Sequence, residues 1–497
     1  MQKLSLLRRI PLHSFLIGLY IISFIYVRNI SQVSPVMVYR SALISLFISG
    51  ILFGFSYLFY RSSRKAGILT TLFVIGFFIY GAIYEYLDGL FYKGYWPFEH
   101  IHRILIAVYF ILYFLIFLLL FRSKRPHNNI NYTLNIFVLV LLCFNTFLAI
   151  NPFKAKKANE EVTNNYIRKE QNYIGSLAKD SMPDVYYIIL DGYASEHTIK
   201  QYYKGQSSVL YNYLREKNFY IADSSQSNYP VTKFSLSSSL NMDYLKDMNP
   251  VKTKNLVEQN LVSYIFRQNN YRVVNVESGY AVTQKFDFAH KTIKVGGLNE
   301  FERRLLELTI LRIDDVLGIE DYSRTKSLLN KMHLVTKEVG PKFSFIHIVS
   351  PHPPYVFDKN GNQRKNSSLS DKSWEPKEHY ADQLEYISLE IIKLVDDILR
   401  ASKIKPIIIF QSDHGPLLSD SNAMNVFDAR MHILNAYYMP EQYKSRLYKS
   451  ISPVNSFRLL TSELFHLNFP LLQDSTISFS SFCQEPTFKL YIQGAKN

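Results

Sequence analysis

The 497-residue sequence predicts two structural classes in one chain. An N-terminal five-helix transmembrane bundle precedes an extracytoplasmic α/β domain with a mainly parallel central sheet. Three observations predict this. Residues 1–150 contain five uncharged apolar runs, and the short loops between them are more basic on alternate sides. After Pro183, short apolar runs rich in β-formers alternate with helix-like stretches.

The composition bounds the function. With 48% apolar residues the chain is not disordered, because disorder needs low apolar content. Residues 1–150 hold 13 Lys and Arg against 3 Asp and Glu, while the remaining 347 residues hold 43 against 38. The basic excess lies between apolar runs and not on one clustered face, which argues against nucleic acid as a partner. Cys143 and Cys483 are too few for a disulfide framework or a cysteine-based zinc site, so they do not report the compartment.

The five runs are Pro11–Val27, Ser41–Tyr60, Ala66–Tyr84, Ile104–Phe121 and Tyr132–Ile150. Crossing a bilayer takes about 17–25 residues of helix, so the first is at the short end. Alone it resembles a signal-peptide core, but no small-residue cleavage site follows it and four more runs do. Lys3, Arg8 and Arg9 precede the first span. Arg61, Arg64 and Lys65 fill the second loop, and Arg122, Lys124 and Arg125 the fourth. The other loops carry two cations each, Arg28 with Arg40 and Lys93 with Arg103, and the latter loop also holds Glu85, Asp88 and Glu99. The positive-inside bias places the N-terminus in the cytoplasm. An odd number of spans then places everything after Ile150 outside it. The domains expected are thus a transmembrane part over 1–150, a connecting part over 151–183, and an outer domain over 184–497. The connecting part is polar and charge-mixed, and reads either as a helix lying on the membrane surface or as a solvated connector.

In the outer domain Asp184–Leu190, Phe343–Val349 and Pro406–Phe410 read as strands. Glu378–Arg400 reads as an amphipathic helix, with Leu384, Ile387, Ile391, Val395 and Ile398 on one face. Strands apolar on both faces and separated by helices indicate a mainly parallel sheet. Chemistry in such sheets sits at the carboxyl ends of the strands. The first strand ends at Asp191-Gly192-Tyr193, the second at Ser350-Pro351-His352-Pro353-Pro354-Tyr355, and the third at Gln411-Ser412-Asp413-His414-Gly415-Pro416. Two Asp and two His at three strand ends are metal ligands or phosphate contacts by type. Each alone also fits a turn or a helix cap. A fourth segment, Asn228–Leu240, holds Thr232 after Pro230. A threonine there either caps a helix or lies in the positive field of its N-terminus, where an alkoxide or a phosphoryl group is favoured.

Together these four segments resemble the alkaline phosphatase/sulfatase superfamily, and most of all its membrane-anchored branch, the lipoteichoic acid synthases and the lipid A phosphoethanolamine transferases. The motifs that carry the resemblance are Asp184–Tyr193, Asn228–Leu240, Ser344–Phe357 and Ile407–Pro416. The resemblance implies a sulfatase-like fold for 184–497. It implies that Asp191, Thr232, Asp413 and His414 are the ligands of one divalent cation (Mn²⁺, Mg²⁺ or Zn²⁺). It further implies that Thr232 is the nucleophile and that His352 grips a non-bridging oxygen of the substrate. Leu240 matches the apolar position eight residues after the sulfatase nucleophile.

The chain also departs from the family. It has one acid at Asp191, followed by Gly192, where relatives often have two. It has no Cys or Ser in the motif that is modified to formylglycine, and no Arg four places after Thr232. The stretch comparable to that of the substrate lysine, Asn270–Gly279, offers Glu277 instead. Ser235 is a rival nucleophile. His347 reads as a packed strand residue, and Arg430 as a surface ion pair or else a contact for an anionic head group.

The chemistry is coherent. A cation lowers the pKa of a hydroxyl ligand and screens an incoming phosphate. The leading expectation is a metal-dependent phosphotransferase of the cell membrane. It moves a phosphoglycerol or phosphoethanolamine type of group to an envelope lipid or glycan through a phospho-threonine, with membrane lipids and an anionic lipid or glycan as partners. A hydrolase of phosphate or sulfate esters and a catalytically silent envelope-binding protein are the competing readings.

Overall fold

The computed structural model describes residues 7–30, 33–92, 101–169, 173–175, 182–203, 208–245, 250–312, 314–364, 374–420, 422–479 and 488–492. Lys3, Lys93, Glu99 and Cys483 lie outside the described residues, as do 170–172 and 176–181 of the connecting part. Packing divides the chain into two units. The first is Met1–Lys157 with Asn299–Val316, and the second is Ala158–Leu298 with Leu317–Asn497.

The first unit holds helices α1 (His13–Arg28), α2 (Tyr39–Tyr60), α3 (Ser63–Tyr92), α4 (Ile101–Arg122) and the part to Lys157 of α5 (Asn128–Lys169). Among the described residues four segments are long and apolar enough to cross a membrane: Pro35–Tyr60, Ser63–Phe91, Ile101–Arg122 and Asn128–Ala155. Helix α1 is apolar but has only 16 residues. Polar contacts hold its start. The His13 backbone N–H donates to Asn135 Oδ1 at 2.8 Å, and the His13 ring meets Thr71 Oγ1 at 2.6 Å. The Asn135 amide donates to the Leu7 and Ile10 carbonyls. Such pairing is required where no water reaches the backbone. Glu85 and Asp88 lie inside α3 and not in a loop.

Asn299–Val316 packs in this first unit although it comes from far along the chain. Its helix Glu300–Glu307 starts with a capping box of Asn299 and Glu302. Buried Glu302 pairs with Arg40, and the Asn299 amide donates to the Met37 carbonyl at 3.0 Å. Gly81 N–H donates to the Leu308 carbonyl at 3.0 Å, and Arg312 pairs with Glu85 at 2.7 Å.

The second unit is built on a seven-stranded sheet of β1 (Val185–Leu190), β2 (Tyr220–Ile221), β3 (Arg272–Val276), β4 (Lys291–Ile293), β5 (Lys342–Ile348), β6 (Ile407–Gln411) and β7 (Asn435–Tyr438). The order is β2-β7-β6-β1-β5-β3-β4. Among the described strands of this sheet β7, paired antiparallel with β6 and β2, runs opposite to the other six. A separate antiparallel pair joins β8 (Ser475–Phe479) and β9 (Phe488–Ile492). The three expected strands are β1, β5 and β6, all fully buried, which explains their largely apolar sequences.

Successive side chains of β1 face opposite sides. Tyr186, Ile188 and Leu190 enter a core shared with Leu384, Ile387, Ile391, Val395 and Ile398 of α7 (Lys377–Ala401), once α6 is taken as Thr232–Asn241. Val185, Tyr187 and Ile189 meet Leu236 and Leu240 of α6 in the other core. Burying each aliphatic side chain contributes roughly 1.5–3 kcal/mol. The parallel register pairs Leu190 with Ile348 and Ile189 with Gln411, so β1, β5 and β6 end at one edge. Helix α8 (Ala423–Met431) leads from that edge back to β7.

Candidate metal centre at the carboxyl edge of the sheet

Asp191 follows β1 directly, its backbone N–H donating to the Ile348 carbonyl at 3.0 Å. His352 N–H in turn donates to the Asp191 carbonyl at 3.1 Å, so the ends of β1 and β5 are tied together. Asp413 and His414 follow β6. Thr232 opens α6 as its first helical residue, with Val231 in the cap position making no side-chain cap bond. The Thr232 hydroxyl therefore does not cap the helix. It lies 3.3 Å from His414 Nε2.

The remaining distances close the cluster. His414 Nε2 is 3.3 Å from Asp413 Oδ2 and 3.7 Å from Asp191 Oδ1. Ligand atoms of Asp191, Asp413 and His414 all lie within 4.8 Å of one another. The three are 3%, 1% and 1% exposed and Thr232 is 8%, so these charges are withdrawn from water. Buried carboxylates need partners. Asp413 Oδ1 accepts from the Gly192 N–H at 3.1 Å, but Asp413 Oδ2 and Asp191 Oδ1 accept no hydrogen bond among the described residues. Two orphaned carboxylate oxygens beside an imidazole nitrogen fit one divalent cation. His414 Nδ1–H donates to the Gly415 carbonyl at 3.0 Å, which leaves Nε2 bare as a ligand atom.

The electrostatics agree. Burial pushes the Asp413 carboxyl up to about 7, helped by the adjacent Asp191 charge. Burial alone would raise Asp191 too, but the imidazoles of His352 and His347 outweigh it and hold this carboxyl below the usual range. Burial, with Arg430 nearby, keeps the His414 ring neutral. Both carboxylates beside a neutral imidazole await positive charge.

His352 stands at the rim. Its Nδ1–H donates to the Pro353 carbonyl at 2.7 Å, and its ring centroid is 6.2 Å from that of His414. Ser235, the rival nucleophile, is buried against Ser227 Oγ at 3.3 Å. Glu277 accepts from the Val295 N–H at 3.0 Å, a contact within the fold.

Arg430 overturns its sequence reading as a surface ion pair. It is only 8% exposed and its partners are backbone carbonyls. It donates to the Pro230 carbonyl at 2.9 and 2.7 Å and to the Gly415 carbonyl at 2.9 Å. It thus pins the loop before Thr232 to the loop after His414. Trp374, which carries no sequence signal, packs its ring 4.7 Å from that of His352 and lies under the Arg430 guanidinium. A Cβ on Gly192 would come within 2.4 Å of that indole, and Gly192 has φ +71°. Glycine is needed there for both reasons. His347 is wholly buried in β5, as its sequence reading has it, and its ring also faces Asp191 at 3.5 Å.

The sulfatase family model matches residues 183–453. Among solved structures, phosphoethanolamine transferase A of Neisseria meningitidis, an integral membrane protein, is 12% identical with a TM-score of 0.45, over 93% of this chain and 95% of that one. The periplasmic domain of EcEptC from Escherichia coli in complex with Zn is 13% identical with a TM-score of 0.41, over 60% and 86%. An alkaline phosphatase superfamily protein of Vibrio parahaemolyticus is 10% identical with a TM-score of 0.42, over 64% and 77%. No curated protein matches the chain.

Proposed function

The chain belongs to the sulfatase family and is a sulfatase-like enzyme, and from that premise we propose a membrane-bound phosphotransferase. It moves a phospho-alcohol group, of the phosphoglycerol or phosphoethanolamine type, from a lipid donor to an envelope lipid or glycan. The observation that carries this reading is the Thr232 hydroxyl within 3.3 Å of His414 Nε2, beside two carboxylates with orphaned oxygens. We read Asp191, Thr232, Asp413 and His414 as the ligands of one divalent cation, Mn²⁺, Mg²⁺ or Zn²⁺. When bound, that cation would lower the pKa of the Thr232 hydroxyl and screen the phosphate charge.

The Thr232 oxygen attacks phosphorus, and the bond from phosphorus to the donor lipid's oxygen breaks. That oxygen leaves with a proton, and the phospho-alcohol group stays on Thr232 as an ester. An acceptor hydroxyl then attacks the same phosphorus, the bond from phosphorus to the Thr232 oxygen breaks, and the acceptor's proton passes to that oxygen, which returns as the hydroxyl. His352, at the rim, contacts a non-bridging phosphoryl oxygen. The N-terminus of α6 adds positive field at the attacking oxygen. Arg430 keeps the nucleophile's loop in register with His414.

We read α1 as a fifth, shorter span, with 151–183 as the connector to the catalytic domain 184–497. The basic loops at Arg61–Lys65 and Arg122–Arg125 support a cytoplasmic N-terminus and an extracytoplasmic catalytic domain. A multi-pass chain suits a lipid donor held in the same bilayer.

The test is covalent trapping. Metal-loaded protein is incubated with headgroup-labelled phospholipid and no acceptor, then digested for mass spectrometry. A phospho-alcohol ester on Thr232, absent from Thr232→Ala, is the expected result. Label found only as a free ester in solution identifies a hydrolase, and no adduct or turnover contradicts the reading.

A further inference from the structure

A row of buried polar groups leads from the β3–β4 connection to Asp191. Ser278, Thr283 and His347 are 4%, 0% and 0% exposed, far too buried to rely on water. The Tyr280 N–H donates to Ser278 Oγ at 3.0 Å. Ser278 Oγ lies 2.8 Å from Thr283 Oγ1, and Thr283 Oγ1 lies 2.8 Å from His347 Nδ1. His347 Nε2 faces Asp191 Oδ2 at 3.5 Å, a contact longer than an ordinary hydrogen bond, and has no hydrogen-bond partner among the described residues.

The carboxylate at the end sets the direction of this row. An ionised Asp191 oxygen can only accept, so the proton sits on His347 Nε2. His347 Nδ1 is then bare and accepts from the Thr283 hydroxyl. Thr283 accepts from Ser278, and Ser278 accepts from the Tyr280 N–H. The Ser278 hydroxyl also lies 3.3 Å from the Tyr280 carbonyl, a longer contact than the 2.8 Å to Thr283 Oγ1. The reverse direction would set two lone pairs against each other at Asp191, in the interior where that is costly.

We propose that His347, its tautomer fixed by Thr283 and Ser278, is a positioning residue that holds Asp191 Oδ2 and so presents Oδ1 as the one oxygen free for the cation. This rests on the cation site of the proposed function and adds how that site is held. The Gly192 N–H does the same for Asp413, whose Oδ1 it occupies while Oδ2 stays free. Each carboxylate therefore offers one oxygen, set by the chain before any cation arrives. Outer partners that orient a ligand in this way typically affect metal affinity about 10–100-fold.

The test uses the full chain in detergent, stripped of metal, with Zn²⁺ or Mn²⁺ affinity read by competition against a fluorescent chelator. His347→Leu removes the donor and Thr283→Val removes the tautomer control with almost no change in volume. His347→Gln restores an N–H at nearly the same reach. The expected result is an affinity loss of about 10–100-fold for the first two and recovery to within about threefold for His347→Gln. Thermal melting of the metal-free proteins checks that each variant folds, and Thr283→Val carries the test if His347→Leu does not. Wild-type affinity in both Thr283→Val and His347→Leu overturns the proposal while leaving the cation site standing. A loss in His347→Gln as large as in His347→Leu overturns it too, since packing alone would then explain the effect. Wild-type protein that binds no cation overturns the underlying reading and this one with it.

Discussion

Thr232 Oγ1 lies 3.3 Å from His414 Nε2 although the two residues stand 182 positions apart. One opens a helix and the other follows a strand, and each sits at the same edge of a parallel sheet.

Cation binding should depend on pH through Asp413. Burial and Asp191 push that carboxyl up to about 7 in the metal-free protein. A cation needs both carboxylates ionised, so below that pH it must displace a proton. Affinity measured by calorimetry should be level above about pH 7 and fall about tenfold for each unit below it, with a proton released on binding. An affinity that does not change between pH 5 and 8 would contradict this.

Gly192→Ala should disturb the roof of the site. The residue has φ +71°, a region that costs an L-residue roughly 1–2 kcal/mol, and the added methyl would press on Trp374. With Trp96→Phe as background, the remaining indole's emission should shift red and the melting temperature should fall. An unchanged spectrum would show that the indole does not pack on this glycine.

Arg430→Met should loosen the loop before Thr232. It removes charged donors from the Pro230 and Gly415 carbonyls. A stability loss of roughly 2–4 kcal/mol is expected from denaturant unfolding. Turnover should fall on the order of a hundredfold through misplacement of Thr232, while the cation stays bound. Wild-type turnover would remove the pinning role.

Arg40→Ala should free the Asn299–Val316 segment within the membrane unit. Glu302 is 5% exposed and would lose its cation, but Arg40 itself is 46% exposed, so the cost is only about 1 kcal/mol. Limited proteolysis should cut near Arg303 and Arg304 faster than in wild type, and Arg40→Lys should restore part of the protection. Equal cleavage rates would deny the ion pair any role.

What could be read from the sequence follows from what burial does to it. Strands β1, β5 and β6 are covered on both faces, so they stand out as apolar runs, and their ends marked Asp191, His352, Asp413 and His414 as candidates. The short edge strands β2 and β4 have no such run. Arg430 was misread because a guanidinium with carbonyl partners has the same sequence appearance as one in water. Trp374 lies outside any regular element and leaves no periodic trace. His347 was placed in a strand correctly, but a strand pattern does not say which buried group its ring meets. The segment Asn299–Val316 carries no apolar run to betray that it packs with the membrane helices.

The central claim is that Asp191, Thr232, Asp413 and His414 hold one cation among them. Mass-spectrometric metal analysis of detergent-purified protein, stripped with chelator and reloaded with Mn²⁺ or Zn²⁺, tests it most directly. The account predicts one equivalent per wild-type chain and close to none in Asp191→Asn or Asp413→Asn, each shown to be folded by its melting curve. Equal metal in the wild type and both variants would contradict it.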